Sequence, residues 1–187
     1  MSSDAAHDPR TIDRFGAVDA LDDLVDGWWD QLRGQPAIDR LFYGASELGD
    51  HSLVWHLLGT AAAATTLRNE RAAVRLIAAL AVESGLVNGV VKSLFNRSRP
   101  IQDVPRPLRL RIPRTSSFPS GHASSASMAA VLLADKSRLG PVYGLLAALI
   151  ATSRVHVRIH HASDVIGGAV VGTALGALVR RVAPLPG

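Results

Sequence analysis

After Asp50 the chain runs through five apolar stretches, at about 51–67, 74–91, 122–135, 141–153 and 164–180, separated by short basic loops. Nothing else in the sequence constrains the fold as much. Their lengths lie at or just below the ~20 residues that a straight helix needs to cross a bilayer. Any one of them suits a buried helix of a soluble bundle equally well, but five in succession with hardly any polar face favour the membrane. Glycine spacing points the same way: Gly85-x3-Gly89 and Gly168-x3-Gly172-x3-Gly176 form small-residue ridges for close helix packing. In a soluble helix each of those glycines would cost up to about 1 kcal/mol relative to alanine. The expected fold is all-α, a bundle of about five transmembrane helices.

Residues 1–49 are the polar part and are expected to form a separate N-terminal segment. Phe15, Val18, Leu21, Leu24, Val25 and Trp28 recur there at helical spacing. That stripe suits an amphipathic helix on a membrane–water boundary, where Trp28 and Trp29 sit well. It equally suits a helix docked by its apolar face on the body of the protein. Met1 to Arg10 is polar and acidic, which predicts no secretory signal peptide. With no cysteine, disulfides and thiolate metal sites are excluded. The net charge of +4 could attract nucleic acid or an anionic surface. The arginines, however, cluster between Arg97 and Arg114 without interleaved aromatics, so the expected partners are an anionic substrate or lipid headgroups and not nucleic acid.

Three short strings carry the chemistry. In Lys92-x6-Arg99-Pro100 the two cations are two helical turns apart and share one face if the helix runs on to Pro100. Such a pair suits a phosphate, although alone it equally suits a solvated helix end. Pro119-Ser120-Gly121-His122 precedes a run of small helix-compatible residues. Ser120 is placed as an N-cap and Gly121 lets a ligand approach the backbone. The free amides of that helix start attract an anion, and His122 stands beside it to give a proton to a departing oxygen. In Ser153-Arg154-x5-His160-x3-Asp164, a helical turn lets Asp164 accept the imidazole N–H of His160 and leaves the other nitrogen free to attack phosphorus. His161 is a local rival, three residues from Asp164; the Ser-Arg-x5-His spacing selects His160.

The ordered trio resembles the signature motifs of the type 2 phosphatidic acid phosphatase superfamily, with all eleven fixed positions matched, and the likeness covers about residues 50–180. It implies an all-helical membrane catalytic domain over 50–187, a phosphohistidine intermediate, and neither metal nor other cofactor. By that resemblance Lys92, Arg99 and Arg154 hold phosphate oxygens with Ser120 and the Gly121 amide, His160 is the nucleophile, Asp164 orients it, and His122 is the general acid. Relatives often carry an aromatic residue and a proline after the nucleophile, where this chain has His161-Ala162, so the local loop is expected to differ.

If all five stretches span, helix parity puts the three strings and residues 1–49 on one side of the membrane. Lysine and arginine are more numerous on that side, which points it to the cytoplasm, while many bacterial members of the family face outward; the side is left open. The implied enzyme is a multi-pass cell-membrane phosphatase acting on phosphatidic acid, phosphatidylglycerophosphate or a polyprenyl phosphate or diphosphate. Its partners are that lipid and the bilayer, with a homo-oligomer open. A vanadate-binding haloperoxidase and a non-catalytic lipid-binding protein are the alternatives.

Four further features carry expectations. Glu83 lies inside an apolar stretch, where a carboxylate is expensive, and is expected to pair with a cation such as Arg158. Asp50, His51 and His56 are read as a helix cap with interfacial histidines, and His156 as structural or a substrate-side contact. Arg106, Arg109, Arg111 and Arg114, broken by Pro105, Pro107 and Pro113, form a basic loop suited to a second phosphate or an anionic lipid.

Overall fold

The computed structural model describes residues 16–101, 106–135 and 137–186, and among these the structure is helical with no strand. Phe15 of the N-terminal stripe and Pro105 of the basic loop lie outside the described residues. In chain order the helices are α1 (Gly16–Asp30), α2 (Pro36–Gly49), α3 (Leu53–Ala63), α4 (Leu67–Ser84), α5 (Gly121–Leu133), α6 (Gly140–His156) and α7 (Ala162–Val182). A short 3-10 turn, Asp50–Ser52, links α2 to α3; α4 runs on through a widened π turn, Gly85–Val90, and a 3-10 turn, Val91–Leu94.

α5 is the central helix, packed against α7, α6 and α4. Its partnership with α7 is made by the second glycine ridge. A Cβ on Gly168 would strike the Ser120 carbonyl, one on Gly172 the Ser124 carbonyl, and one on Gly176 would come within 3.0 Å of Val131. Those glycines therefore let the two backbones approach, as expected. The first ridge behaves otherwise: Gly85 and Gly89 have open space where a Cβ would stand. They fall in the π turn, where the widened backbone breaks the i, i+4 register that a packing ridge requires.

The buried core joins Trp55, Leu76, Leu80, Met128, Leu132 and Ile150. Large apolar side chains also cover much of the exterior, among them Val82, Leu94, Leu145, Val170 and Val182, with Leu94 and Leu145 each 74% exposed. Two helical stretches, Asn69–Leu94 and Ala162–Val182, are long and apolar enough to cross a membrane. The other three expected spans are helices of 11, 13 and 17 residues, about 17–26 Å long against a hydrocarbon layer of roughly 30 Å. The first is shortened because Ser52, with a positive φ, turns the chain before α3, and α3 ends at Ala63 ahead of the Thr66 cap of α4.

α1 divides its apolar stripe. Val25 and Trp29 pack on Ala123, Ala151, Val155 and Val165. Val18, Leu21, Leu24 and Trp28 stay exposed, Trp28 by 63%. Asp22 turns inward and is buried, while Asp19, Asp23 and Asp30 stay exposed. α1 and α2 lie against α7 and α6, so residues of the N-terminal segment border the ends of the helices that carry the motifs.

Candidate active site

The site is assembled where α5 and α7 begin and α6 ends. Ser120 is the N-cap of α5; its hydroxyl accepts from the Ala123 N–H, and its own N–H donates to the Asp164 carbonyl at 2.9 Å. That bond ties the start of α5 to the start of α7. Gly121 follows, and a Cβ there would stand 2.9 Å from Asn88 Oδ1, so the side chain of Asn88 from the α4 extension lies against it.

α6 ends at His156, and the chain turns back over its own last turn through Arg158, which has a positive φ. The N–H groups of Ile159 and His160 both donate to the Arg154 carbonyl at 3.1 Å. His161 then caps α7 in a reciprocal box with Asp164, whose Oδ2 accepts the His161 N–H at 2.9 Å. The two histidines thus take different positions: His161 is the cap, and His160 points into the site.

His160 is 2% exposed. Its Nδ1 lies 3.5 Å from Asp164 Oδ2, longer than an ordinary hydrogen bond, and its Nε2 lies 3.4 Å from Arg99 Nη1. Burial, reinforced by the positive charges of Arg154 and Arg99, pushes its pKa down to about 3 against the opposing pull of Asp164. His160 is therefore a neutral imidazole at ordinary pH.

Lys92 and Arg99 do not share a helix face. The helical stretch stops at Leu94, Phe95 is extended, and Arg99 comes from a non-helical strand of chain. The residue before a proline avoids helical geometry, which removes Arg99 from the helix that carries Lys92. Both still reach the site. Arg99 is fastened by donating to the carbonyls of Ile159 (2.9 Å) and Thr115 (3.0 Å), while Lys92, 5% exposed, lines a cavity of about 510 Å³ with Gly121, His122 and His160. Arg154 is fully buried and donates to the Ser46 hydroxyl, and among the described residues its Nε and Nη2 meet no acceptor. Burial lowers its pKa to about 10. Buried guanidinium N–H groups without acceptors are the profile of an anion site.

Several side chains at the site carry no fixed-spacing signal. Arg97 donates to Asp164 Oδ1 (2.7 Å), the Ser163 hydroxyl (2.6 Å) and Asp22 Oδ2 (2.6 Å). Asp22 Oδ1 accepts the Ser163 N–H at 2.7 Å. The buried Asp164 carboxylate is thus held on both oxygens, and α1 takes part in holding it. Arg97 sits within the Lys92-x6-Arg99 string at an unassigned position, the one sequence hint of its place.

Other expectations change. Asp50 does not cap α3; its Oδ1 lies 2.9 Å from His122 Nε2. Burial opposes ionisation of Asp50, but His122 beside it, with Arg154 and His51, holds its carboxyl below the usual carboxylate range. Glu83 is buried beside Ser124 and Lys92 and not paired with Arg158, whose guanidinium bonds Asp30 at 2.6 Å. That cation lies by α1, away from the interior of the α4 stretch. His156 is structural: its Nε2 lies 2.9 Å from Asp39 and its ring stacks on Phe42. In the basic loop, Arg106 anchors on the Val157 and Arg158 carbonyls, Arg111 reaches His51 at 2.6 Å and lines the cavity, and Arg109 and Arg114 are exposed.

Residues 72–185 match the family model of the PAP2 superfamily. Over 140 residues the chain is 32% identical to the decaprenylphosphoryl-5-phosphoribose phosphatase of Mycobacterium tuberculosis H37Rv, covering 74% of this chain and 77% of that protein. It is 34% identical to the protein of the same description from Mycolicibacterium smegmatis, covering 73% and 74%. Among solved structures, the transmembrane PAP2-type phosphatidylglycerolphosphate phosphatase of Bacillus subtilis superposes with a TM-score of 0.70 at 24% identity, over 92% of this chain and 89% of that one. Aquifex aeolicus LpxE superposes with a TM-score of 0.68 at 25% identity, over 87% and 93%. By motif, fold and sequence, the chain belongs to the PAP2 superfamily.

Proposed function

We propose that this phosphatase is a multi-pass protein of the cell membrane that hydrolyses the phosphomonoester or diphosphate of a lipid through a phosphohistidine on His160. One observation carries the mechanism: a buried, neutral imidazole stands between the Asp164 carboxylate and the Arg99 guanidinium, at a cavity that Lys92 and His122 also line. The Nε2 lone pair of His160 attacks phosphorus, forming a P–N bond as the P–O bond to the lipid breaks. His122 gives its proton to the departing oxygen. Water then attacks the phosphoenzyme, the P–N bond breaks, and His122 takes a proton from that water. Lys92, Arg99 and Arg154, with Ser120 and the Gly121 amide, neutralise the charge on the phosphoryl oxygens, so the scheme needs no metal. Asp164 holds the imidazole and stabilises the positive charge it acquires.

A second cavity supports a lipid substrate. It measures about 650 Å³, lies between α4, α7 and residues 183–186, and is lined by Val74, Val82, Leu86, Leu175 and Val179 among others. Glu83 lines both cavities, so the apolar one lies next to the cationic one. The named activity of the mycobacterial relatives favours a polyprenyl-linked phosphate. The test is phosphate release by purified protein in detergent with EDTA. The panel is phosphatidic acid, phosphatidylglycerophosphate, polyprenyl diphosphate and a polyprenylphosphoryl-5-phosphoribose, with His160→Ala beside each. Release that persists in EDTA, vanishes in the variant and is fastest on a polyprenyl substrate is expected. Release that requires an added metal, or survives His160→Ala, would overturn the mechanism; equal rates on glycerolipids would overturn the polyprenyl preference.

A further inference from the structure

The turn between α2 and α3 is built around His122. A Cβ on Gly49 would lie 2.7 Å from His122 Cδ2, so the chain runs close against the ring. The next residue, Asp50, sets Oδ1 2.9 Å from His122 Nε2. His51 and Ser52 then both adopt positive φ, at 51° and 57°. Two consecutive non-glycine residues in that region are costly, and together they turn the chain back into α3 directly after Asp50 has reached the ring. All four residues lie outside the segment 72–185 that matches the family.

The surroundings of His122 explain what a carboxylate there does. The ring stands at the N-terminus of α5, where the helix dipole is positive, and Lys92 lines the same cavity. A proton on this ring needs a counter-charge, and a proton donor must carry one before the ester bond breaks. Glu83, the other carboxylate at the cavity, sits beside Ser124 and Lys92.

Resting on the assignment of His122 as general acid, we infer that Asp50 is a positioning residue for proton delivery to the leaving oxygen. Its carboxylate, 2.9 Å from Nε2, holds the His122 ring and balances the charge it carries when protonated. When that proton moves to the lipid oxygen, His122 becomes neutral and Asp50 remains a carboxylate. During hydrolysis of the phosphoenzyme the same pair receives the proton from water.

Dependence on the leaving group isolates this role, because an ester whose leaving group departs easily needs no proton. kcat/KM is measured for Asp50→Asn and His122→Ala on a lipid phosphomonoester and on p-nitrophenyl phosphate. A positioned general acid contributes roughly 10²–10⁴-fold, so Asp50→Asn is expected to lower kcat/KM on the lipid ester by at least about tenfold. The nitrophenyl rate should stay within about threefold, with His122→Ala showing the same asymmetry more strongly. Asp50→Glu keeps the carboxylate and should retain more of the lipid-ester rate than Asp50→Asn. If His122→Ala is asymmetric while Asp50→Asn affects both esters equally, or neither, the role of Asp50 falls and that of His122 stands. If His122→Ala lowers both rates equally, the general-acid assignment itself fails and the inference goes with it.

Discussion

A histidine serves as a nucleophile only while it is unprotonated, and the surroundings of His160 hold it in that state. Burial and two nearby guanidiniums disfavour the charged ring, placing its pKa at about 3. Because the shift is downward, the ring stays neutral at every pH above that value. Histidine-selective 15N NMR of the protein in detergent should show His160 neutral at pH 5; protonation near 6.5 would contradict the described environment. The proximity of this residue to Asp164 was legible in the sequence because it depends on a short fixed spacing. What escaped were partners with no such spacing. Ser46 meets Arg154 from 108 positions away, and Asp22 meets Arg97 from 75. Asp50 looked like a cap because a helix follows it closely; only the left-handed turn at His51 and Ser52 sends its carboxylate to His122.

Helix contacts followed the glycine pattern where the helix was regular and departed from it where it was not. Gly172 sits where a Cβ would meet the Ser124 backbone carbonyl, so Gly172→Ala forces α5 and α7 apart. Overpacking of this kind costs about 1–3 kcal/mol. Gly85 has ordinary helical angles, φ −62° and ψ −45°, and open space at the Cβ position; Gly85→Ala should be neutral or stabilise by about 0.4–1 kcal/mol. Thermal unfolding in detergent checks both, and a Gly172→Ala protein as stable as the parent would contradict the close approach of the two helices. The same regularity misled over Lys92 and Arg99. Their seven-residue spacing suits one helix face, but the helix stops at Leu94 and Arg99 reaches His160 from extended chain. α1 shows a different limit. Its apolar stripe was visible, but the burial of Asp22 follows from Arg97 and Ser163, which only the folded chain brings beneath it.

At the scale of the molecule, polar and apolar surfaces are divided in a way that serves a lipid phosphate. The cationic cavity sits where α5 and α7 begin, and the apolar cavity runs alongside α4 and α7, with Glu83 lining both. Aliphatic side chains on the exterior suit a hydrocarbon surround, and two helical stretches have the length and composition to cross one. The sequence conveyed this apolar character but not the helix ends: α3 is shorter than the stretch 51–67, because hydropathy does not register the turns around it, while α6 and α7 outrun the stretches 141–153 and 164–180. The measurement closest to the central claim is rapid-quench trapping of the phosphoenzyme. Protein is mixed with substrate labelled at the terminal phosphate, stopped in alkali, and digested for peptide mapping. The label should appear on His160 before steady turnover, be stable to alkali and lost in acid, and be absent from His160→Ala. Phosphate release at full rate with no labelled protein, or with label on any other residue, would contradict the account.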